Sequence, residues 1–254
     1  MTPHRAVIIC TSVIFVSGFV SAGNHSALTH DAEDGMIELY DKAGQYPLSS
    51  IPPDASPITF HLPEAFRYGS NKSAEKTRGV LILTYYPSFS SPNSPENAEY
   101  GLNCVGICNG RILLHVEYDS NLLNTSSPNV GDWVARQQLR WKRTPPYPPN
   151  VTVHDLTPPS GFDGGFQRSY AGVKTSEVVL FRNHRDGSHY DLAATCSANA
   201  QRTTCILHFS LNCDPKLSVT VNGLDSSYLD HSSDIVTRVN EFVSSIIYHP
   251  VCKS

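Results

Sequence analysis

Short apolar or alternating segments separated by turn residues recur along the chain between residues 57 and 222. Residues 111–118 alternate strictly, with Ile112, Leu114 and Val116 on one face, which predicts a half-buried strand. Residues 80–86 are apolar on both faces, as in a central strand. Further strands are predicted at residues 58–62, 177–182, 190–196, 204–211 and 217–222. Because short turns join many of these strands, we expect a predominantly antiparallel meander.

The last apolar segment has helical periodicity instead of alternation. Ile235, Val239, Val243 and Ile246 fall on one broad apolar stripe, serines precede it, and Pro250 follows it. This pattern predicts a C-terminal amphipathic helix that buries its apolar face against the sheet. The expected fold class is therefore α+β.

The first 22 residues have the pattern of a secretory signal. Arg5 precedes an apolar run over residues 6–20, and Val20 and Ala22 supply the small residues of a cleavage site. The run is shorter than the roughly 20 residues that a spanning helix needs, so no stable membrane anchor is expected. We expect an exported protein, periplasmic if the source is bacterial and otherwise secreted.

Composition divides the remainder into an arm and a domain. Residues 23–56 are polar and contain several prolines, and we expect them to form a loosely held N-terminal arm. Residues 57–254 are expected to form a single β-rich domain, with a long proline-rich insert at about residues 126–170. A connection of this length inside a compact domain is usually functional or disordered.

Six of the seven cysteines follow the signal segment, which contains Cys10. An even number in an exported chain indicates a disulfide framework. Cys196 and Cys205 are in phase with the core-facing residues of two successive strands, so we expect them to be bonded. A small loop closed by Cys104 and Cys108 would then leave Cys213 to pair with Cys252.

The sequence contains no serine-hydrolase elbow, zinc-protease helix, phosphate loop or dinucleotide fingerprint. His184, His189 and Asp191 surround an Asp-Gly turn and could offer ligands to zinc, but we interpret them as a solvated turn because no second ligand pair is evident. No catalytic residue, metal or cofactor is therefore assigned. The net charge of −4 argues against a nucleic-acid partner.

The insert contains both tryptophans and a cluster of cations. Trp133, Gln137 and Trp141 are spaced four residues apart, which allows a short basic helix that begins at Asp132. Since Trp and Arg are enriched in binding hot spots, we predict a partner-binding surface there. Its residues are Trp133, Arg136, Arg140, Trp141, Lys142 and Arg143. The alternative is that the tryptophans only pin a long loop to the domain.

Several segments together resemble exported bacterial proteins encoded beside type VI secretion lipase effectors. The resemblance rests on the signal segment, residues 58–63 (Ile-Thr-Phe-His-Leu-Pro), residues 81–88 ending in Tyr-Tyr-Pro-Ser, the hairpin with Cys196 and Cys205, and the final helix. It implies a non-enzymatic periplasmic immunity protein that blocks a toxic enzyme, possibly such a lipase effector, without catalytic residues of its own. The alternative function is a secreted hydrolase or carbohydrate-binding protein whose site is assembled from distant residues.

Overall fold

The computed structural model describes residues 35–44, 47–51, 55–68, 75–91, 94, 110–122, 126–143, 147–198, 203–249 and 251–252. These residues contain twelve strands and two α-helices. The strands are β1 Met36–Leu39, β2 Ile58–His61, β3 Lys76–Thr77, β4 Val80–Tyr85, β5 Arg111–Tyr118, β6 Val151–Asp155, β7 Gly164–Tyr170, β8 Ser176–Asn183, β9 Tyr190–Ala198, β10 Thr203–Ser210, β11 Leu217–Asp225 and β12 Ile247–Tyr248. The helices are α1 Val130–Lys142 and α2 Ser232–Ile246.

Eight strands form the larger sheet, in the order β4-β5-β11-β10-β9-β8-β7-β6. Every pair in it is antiparallel, and β6 to β11 follow one another as a continuous meander. Gly187 has a φ of 69° at the tip of the β8–β9 hairpin, a conformation that glycine adopts without strain. The predicted antiparallel meander is therefore confirmed.

A second, four-stranded sheet has the order β12-β2-β1-β3, with β1 and β3 parallel and the other pairs antiparallel. Its strand β1 lies within the segment that the sequence suggests is a loosely held arm. Ile37 and Leu39 on this strand are fully buried, because their alternation places both on the core face. Residues 36–39 are therefore an integral strand of the fold.

The main core lies between one face of the larger sheet, the smaller sheet and α2. The apolar stripe of α2, with Ile235, Val239 and Val243 fully buried, supplies one side of it. Leu207 and Phe209 of β10 belong to the same cluster. The C-terminal helix thus packs on the sheet as its periodicity predicts.

Residues 126–170 contribute α1, β6 and β7 to the fold. Helix α1 begins where the Asn129 side chain accepts a 2.8 Å hydrogen bond from the Asp132 amide, and cations occupy its last turn, where they complement the helix dipole. Strands β6 and β7 form one edge of the larger sheet. The region that the sequence predicts to be a proline-rich insert thus consists largely of a helix and two strands.

Two disulfides join described cysteines, and both are pairs that the sequence indicates. Cys196 and Cys205 are cross-strand neighbours on β9 and β10, and Cys213 is bonded to Cys252 beyond α2. The second spans 39 residues, for which chain-entropy arguments give about 4 kcal/mol of stabilisation. Cys104 and Cys108 lie outside the described residues. The two disulfides are consistent with an exported protein.

Candidate binding surface on helix α1

Helix α1 lies on the face of the larger sheet opposite the main core. Ala193 of β9 packs with Val134 and Ala135 of α1, whereas its neighbours Leu192 and Ala194 belong to the main core. Side chains next to each other on a strand point to opposite faces, so α1 and α2 cover opposite faces of the sheet.

The N-terminus of α1 is in direct contact with the backbone of β9. A Cβ atom added at Gly131 would lie 2.6 Å from the carbonyl oxygen of Asp191 and 3.0 Å from the Leu192 nitrogen. The first distance is shorter than contacts of real Cβ atoms, and the second is at the tight limit of such contacts. Glycine is therefore required at this position for α1 to lie as close to the strand as it does.

Asp132 fixes both the helix and one of its arginines. Its carboxylate is fully buried, accepts a 3.0 Å hydrogen bond from the Tyr190 amide through Oδ1, and accepts a 2.6 Å bond from Arg136 Nε through Oδ2. A buried carboxylate is tolerated only when it is paired and hydrogen-bonded in this way. The start of β9 and the Arg136 side chain are thus held by a single group.

Three of the predicted partner-binding residues lie on one exposed side of α1, and a fourth, Arg143, follows on that side as the C-cap of the helix. Trp133, Arg136, Arg140 and Arg143 fall within about 80° of arc at 100° per residue. The Trp133 residue is 42% exposed and the Arg136 side chain 47% exposed. We call these four side chains the cationic face.

A groove of about 600 Å³ lies between the cationic face and the tip of the β8–β9 hairpin. Ser188, His189 and Tyr190 line it on the hairpin side, and Gln137 and Leu139 add to the α1 side. These five residues are not predicted as part of the surface from the sequence, since nothing in the chain order indicates that the hairpin tip lies beside the helix. The groove combines guanidinium groups with neutral polar side chains, which suits carboxylate or phosphate oxygens.

Trp141 and Lys142 are not part of the cationic face. The Trp141 ring stacks on Tyr147 with centroids 5.4 Å apart, and the Arg168 guanidinium lies 4.5 Å from its centroid. Lys142 forms an ion pair with Asp155 on β6. Both side chains therefore attach the end of α1 to the β6–β7 edge of the sheet. For Trp141 this matches the alternative given above, in which the tryptophans pin this region to the domain.

The hairpin tip brings together His184, Asp186 and His189. Asp186 Oδ1 accepts hydrogen bonds from the Ser188 hydroxyl at 2.6 Å and the Ser188 amide at 2.9 Å, and it lies 3.0 Å from His184 Nδ1. The Ser188 hydroxyl and amide, followed by His184, hold the pKa of Asp186 well below its usual range. Asp191, which the sequence groups with the histidines, instead pairs with Arg182 at 2.8 Å.

Comparison of the chain with known proteins gives no match to a protein family, a characterised protein or a solved structure. Within the part of the chain that the structure describes, neither helix is long and apolar enough to cross a membrane.

Proposed function

We propose that this protein is an exported, non-enzymatic binding protein that recognises an acidic protein surface through the cationic face of α1. The observation that carries the proposal is the exposure of Trp133, Arg136, Arg140 and Arg143 on one side of one helix. Arginine forms paired hydrogen bonds with carboxylates, and Trp and Arg dominate binding hot spots. The face gives an acidic chain a local surface of opposite charge.

The rigidity of the surface supports this function. Asp132 holds Arg136 by a 2.6 Å hydrogen bond, and the close approach at Gly131 fixes the helix against β9. Trp141 and Lys142 attach the other end of the helix to the sheet. A surface that is ordered before binding loses less conformational entropy on association, so more of the contact energy contributes to affinity.

The partner that we propose is a toxic enzyme, which the protein neutralises by covering its active site or a moving lid. This immunity role rests on the resemblance to exported proteins encoded beside type VI lipase effectors, and a lipase effector is the partner class that it implies. In a bacterial source the site of action would be the periplasm. The two disulfides support an oxidising compartment.

Co-purification from the native producer, followed by an activity assay on the partner, tests the proposal. We expect a stoichiometric enzyme partner whose activity is lost on adding the protein. An Arg140→Glu/Arg143→Glu variant should inhibit at least about tenfold less well, because like charges then face the acidic partner. The control Lys174→Glu/Lys216→Glu carries the same charge change at two lysines elsewhere on the molecule and should inhibit normally.

Two results would contradict the proposal. Equal inhibition by the folded Arg140→Glu/Arg143→Glu variant would place the binding surface elsewhere on the molecule. Recovery of a sugar or another small substrate without a protein partner would favour the alternative, a secreted hydrolase or carbohydrate-binding protein.

A further inference from the structure

The tip of the β8–β9 hairpin holds three potential metal ligands in contact with one another. One ligand atom from each of His184, Asp186 and His189 lies within 4.8 Å of the other two. The imidazole rings are nearly parallel, with centroids 4.4 Å apart and an angle of 15° between their planes. The sequence alone suggests Asp191 as the carboxylate of this group, but the turn presents Asp186 instead.

Backbone hydrogen bonds close the turn without either imidazole ring. The His184 amide donates to the His189 carbonyl oxygen at 2.7 Å, and the Gly187 amide donates to the His184 carbonyl oxygen at 2.8 Å. The tight turn therefore needs its Asp-Gly residues but neither imidazole ring. Two stacked histidines beside a carboxylate thus have no role in closing the hairpin.

The arrangement fits a late first-row divalent metal. Zinc binds histidine nitrogen and carboxylate oxygen at about 2.0–2.2 Å, so the ligand atoms of a tetrahedral site lie about 3.3 Å apart. His184 Nδ1 and Asp186 Oδ1 are already 3.0 Å apart. The side chains of His184 and Asp186 are 44% and 62% exposed, which leaves them room for the small rotations that would complete the site.

We propose that the hairpin tip binds Zn²⁺ through His184, Asp186 and His189, with the fourth position left to water or to a donor atom of a bound molecule. Imidazole selects zinc and its neighbours over Mg²⁺ and Ca²⁺, which prefer oxygen ligands. Ser188 stabilises the site by donating to Asp186, as partners of metal ligands commonly do. This inference does not depend on the proposed binding function.

Calorimetric titration of ZnCl₂ into the EDTA-treated protein, purified without a histidine tag, tests the site. We expect one saturable Zn²⁺ site per chain and no binding of Mg²⁺. His184→Ala and His189→Ala should each weaken Zn²⁺ binding by more than about tenfold, since even the loss of a group that only supports a ligand costs that much. His154→Ala removes an exposed histidine on β6 and should bind Zn²⁺ normally.

Thermal unfolding without metal should be the same for all four proteins, since the altered side chains are not in the core. As a second measurement, Co²⁺ should give ligand-field absorption bands with the wild-type protein that change with Asp186→Asn. The absence of saturable Zn²⁺ binding, or binding that both His184→Ala and His189→Ala leave unchanged, would overturn the proposal.

Discussion

At the scale of single residues, Asp132 is the group on which the position of α1 most depends. Asp132→Ala removes the acceptor of the Tyr190 amide and the partner of Arg136. Because a buried donor is then left without a partner, we expect a loss of about 2–4 kcal/mol in the free energy of unfolding, measured by urea denaturation. Asp155→Ala breaks an ion pair whose carboxylate is 79% exposed and should cost less than about 1 kcal/mol. Equal effects of the two changes would contradict this role.

His208 makes stability depend on pH. It is the cross-strand neighbour of Ala193, on the sheet face that α1 covers, and burial lowers its pKa from 6.5 to about 4. The folded state therefore binds this proton less readily than the unfolded state. The resulting stabilisation is present above pH 6.5, decreases as the pH falls, and is lost below the folded pKa.

We accordingly expect wild-type protein to lose up to about 3 kcal/mol more than His208→Gln when urea unfolding at pH 7 is compared with unfolding at pH 4. Carboxylates contribute equally to both proteins, so the difference between them isolates the histidine. Parallel pH dependences in the two proteins would show that His208 titrates normally in the folded state.

At the scale of elements, the contact between α1 and β9 depends on the absence of a side chain at Gly131. Gly131→Ala would place Cβ 2.6 Å from a backbone oxygen that cannot move aside. We expect the helix to shift and stability to fall by about 1–3 kcal/mol, measured by thermal or urea unfolding. Gln137→Ala on the exposed side of the same helix serves as a control and should be near neutral. An unchanged unfolding midpoint for Gly131→Ala would mean that α1 does not lie this close to the sheet.

The strands of the meander and helix α2 could be predicted because their hydrophobic periodicity is strong. Strand β5 has the bounds that alternation gives, Arg111–Tyr118, and α2 ends at Ile246, whereas the apolar spacing continues to Ile247. Strands β6 and β7 were missed because prolines flank β6 and because both strands have mostly half-exposed or exposed residues. Edge strands have fewer buried positions, so their sequences alternate weakly.

The candidate surface was predicted only in part. Helical spacing alone places Lys142 on the side of the helix opposite Trp133. It places Trp141 about 80° from Trp133, which does not decide whether this ring belongs to the exposed side. Only its tertiary contacts with Tyr147 and Arg168 show that the Trp141 ring packs against the sheet edge and lies outside the cationic face. The hairpin side of the groove depends on contacts between elements about 50 residues apart, which no local pattern encodes.

At the scale of the whole molecule, we expect three disulfides and no free thiol. Two are formed among the described residues, and Cys104 and Cys108, which lie outside them, would form the third. Thiol labelling of the exported protein, denatured without reductant, should therefore detect almost no reactive cysteine. Labelling of one or two cysteines per chain would contradict the third disulfide, and those thiols would then be candidates for reactive groups.

The charge distribution predicts how the molecule meets its partner. A cationic face on a chain with a net charge of −4 steers association toward an acidic surface, and salt weakens this effect. Trp133 is the exposed aromatic ring of the cationic face, and its contacts should stabilise the complex after the two proteins have met. We therefore expect Trp133→Ala to speed dissociation from the proposed enzyme partner with little change in the association rate, measured by surface plasmon resonance. Tyr248→Ala, an exposed ring on β12, is the control and should change neither rate.

The association rate of the protein with the proposed enzyme partner, measured over a range of salt concentrations, tests the role of the cationic face most directly. We predict that Arg140→Glu/Arg143→Glu associates at least about tenfold more slowly than wild type at low salt and reverses or flattens the salt dependence. This pair leaves the Arg136–Asp132 bond intact but places anions at the end of α1, where they oppose the helix dipole, so thermal unfolding of the variant is compared with wild type first. The Lys174→Glu/Lys216→Glu control should behave like wild type. Equal rates and equal salt dependences for wild type and the folded Arg140→Glu/Arg143→Glu variant would contradict the assignment of α1 as the binding surface.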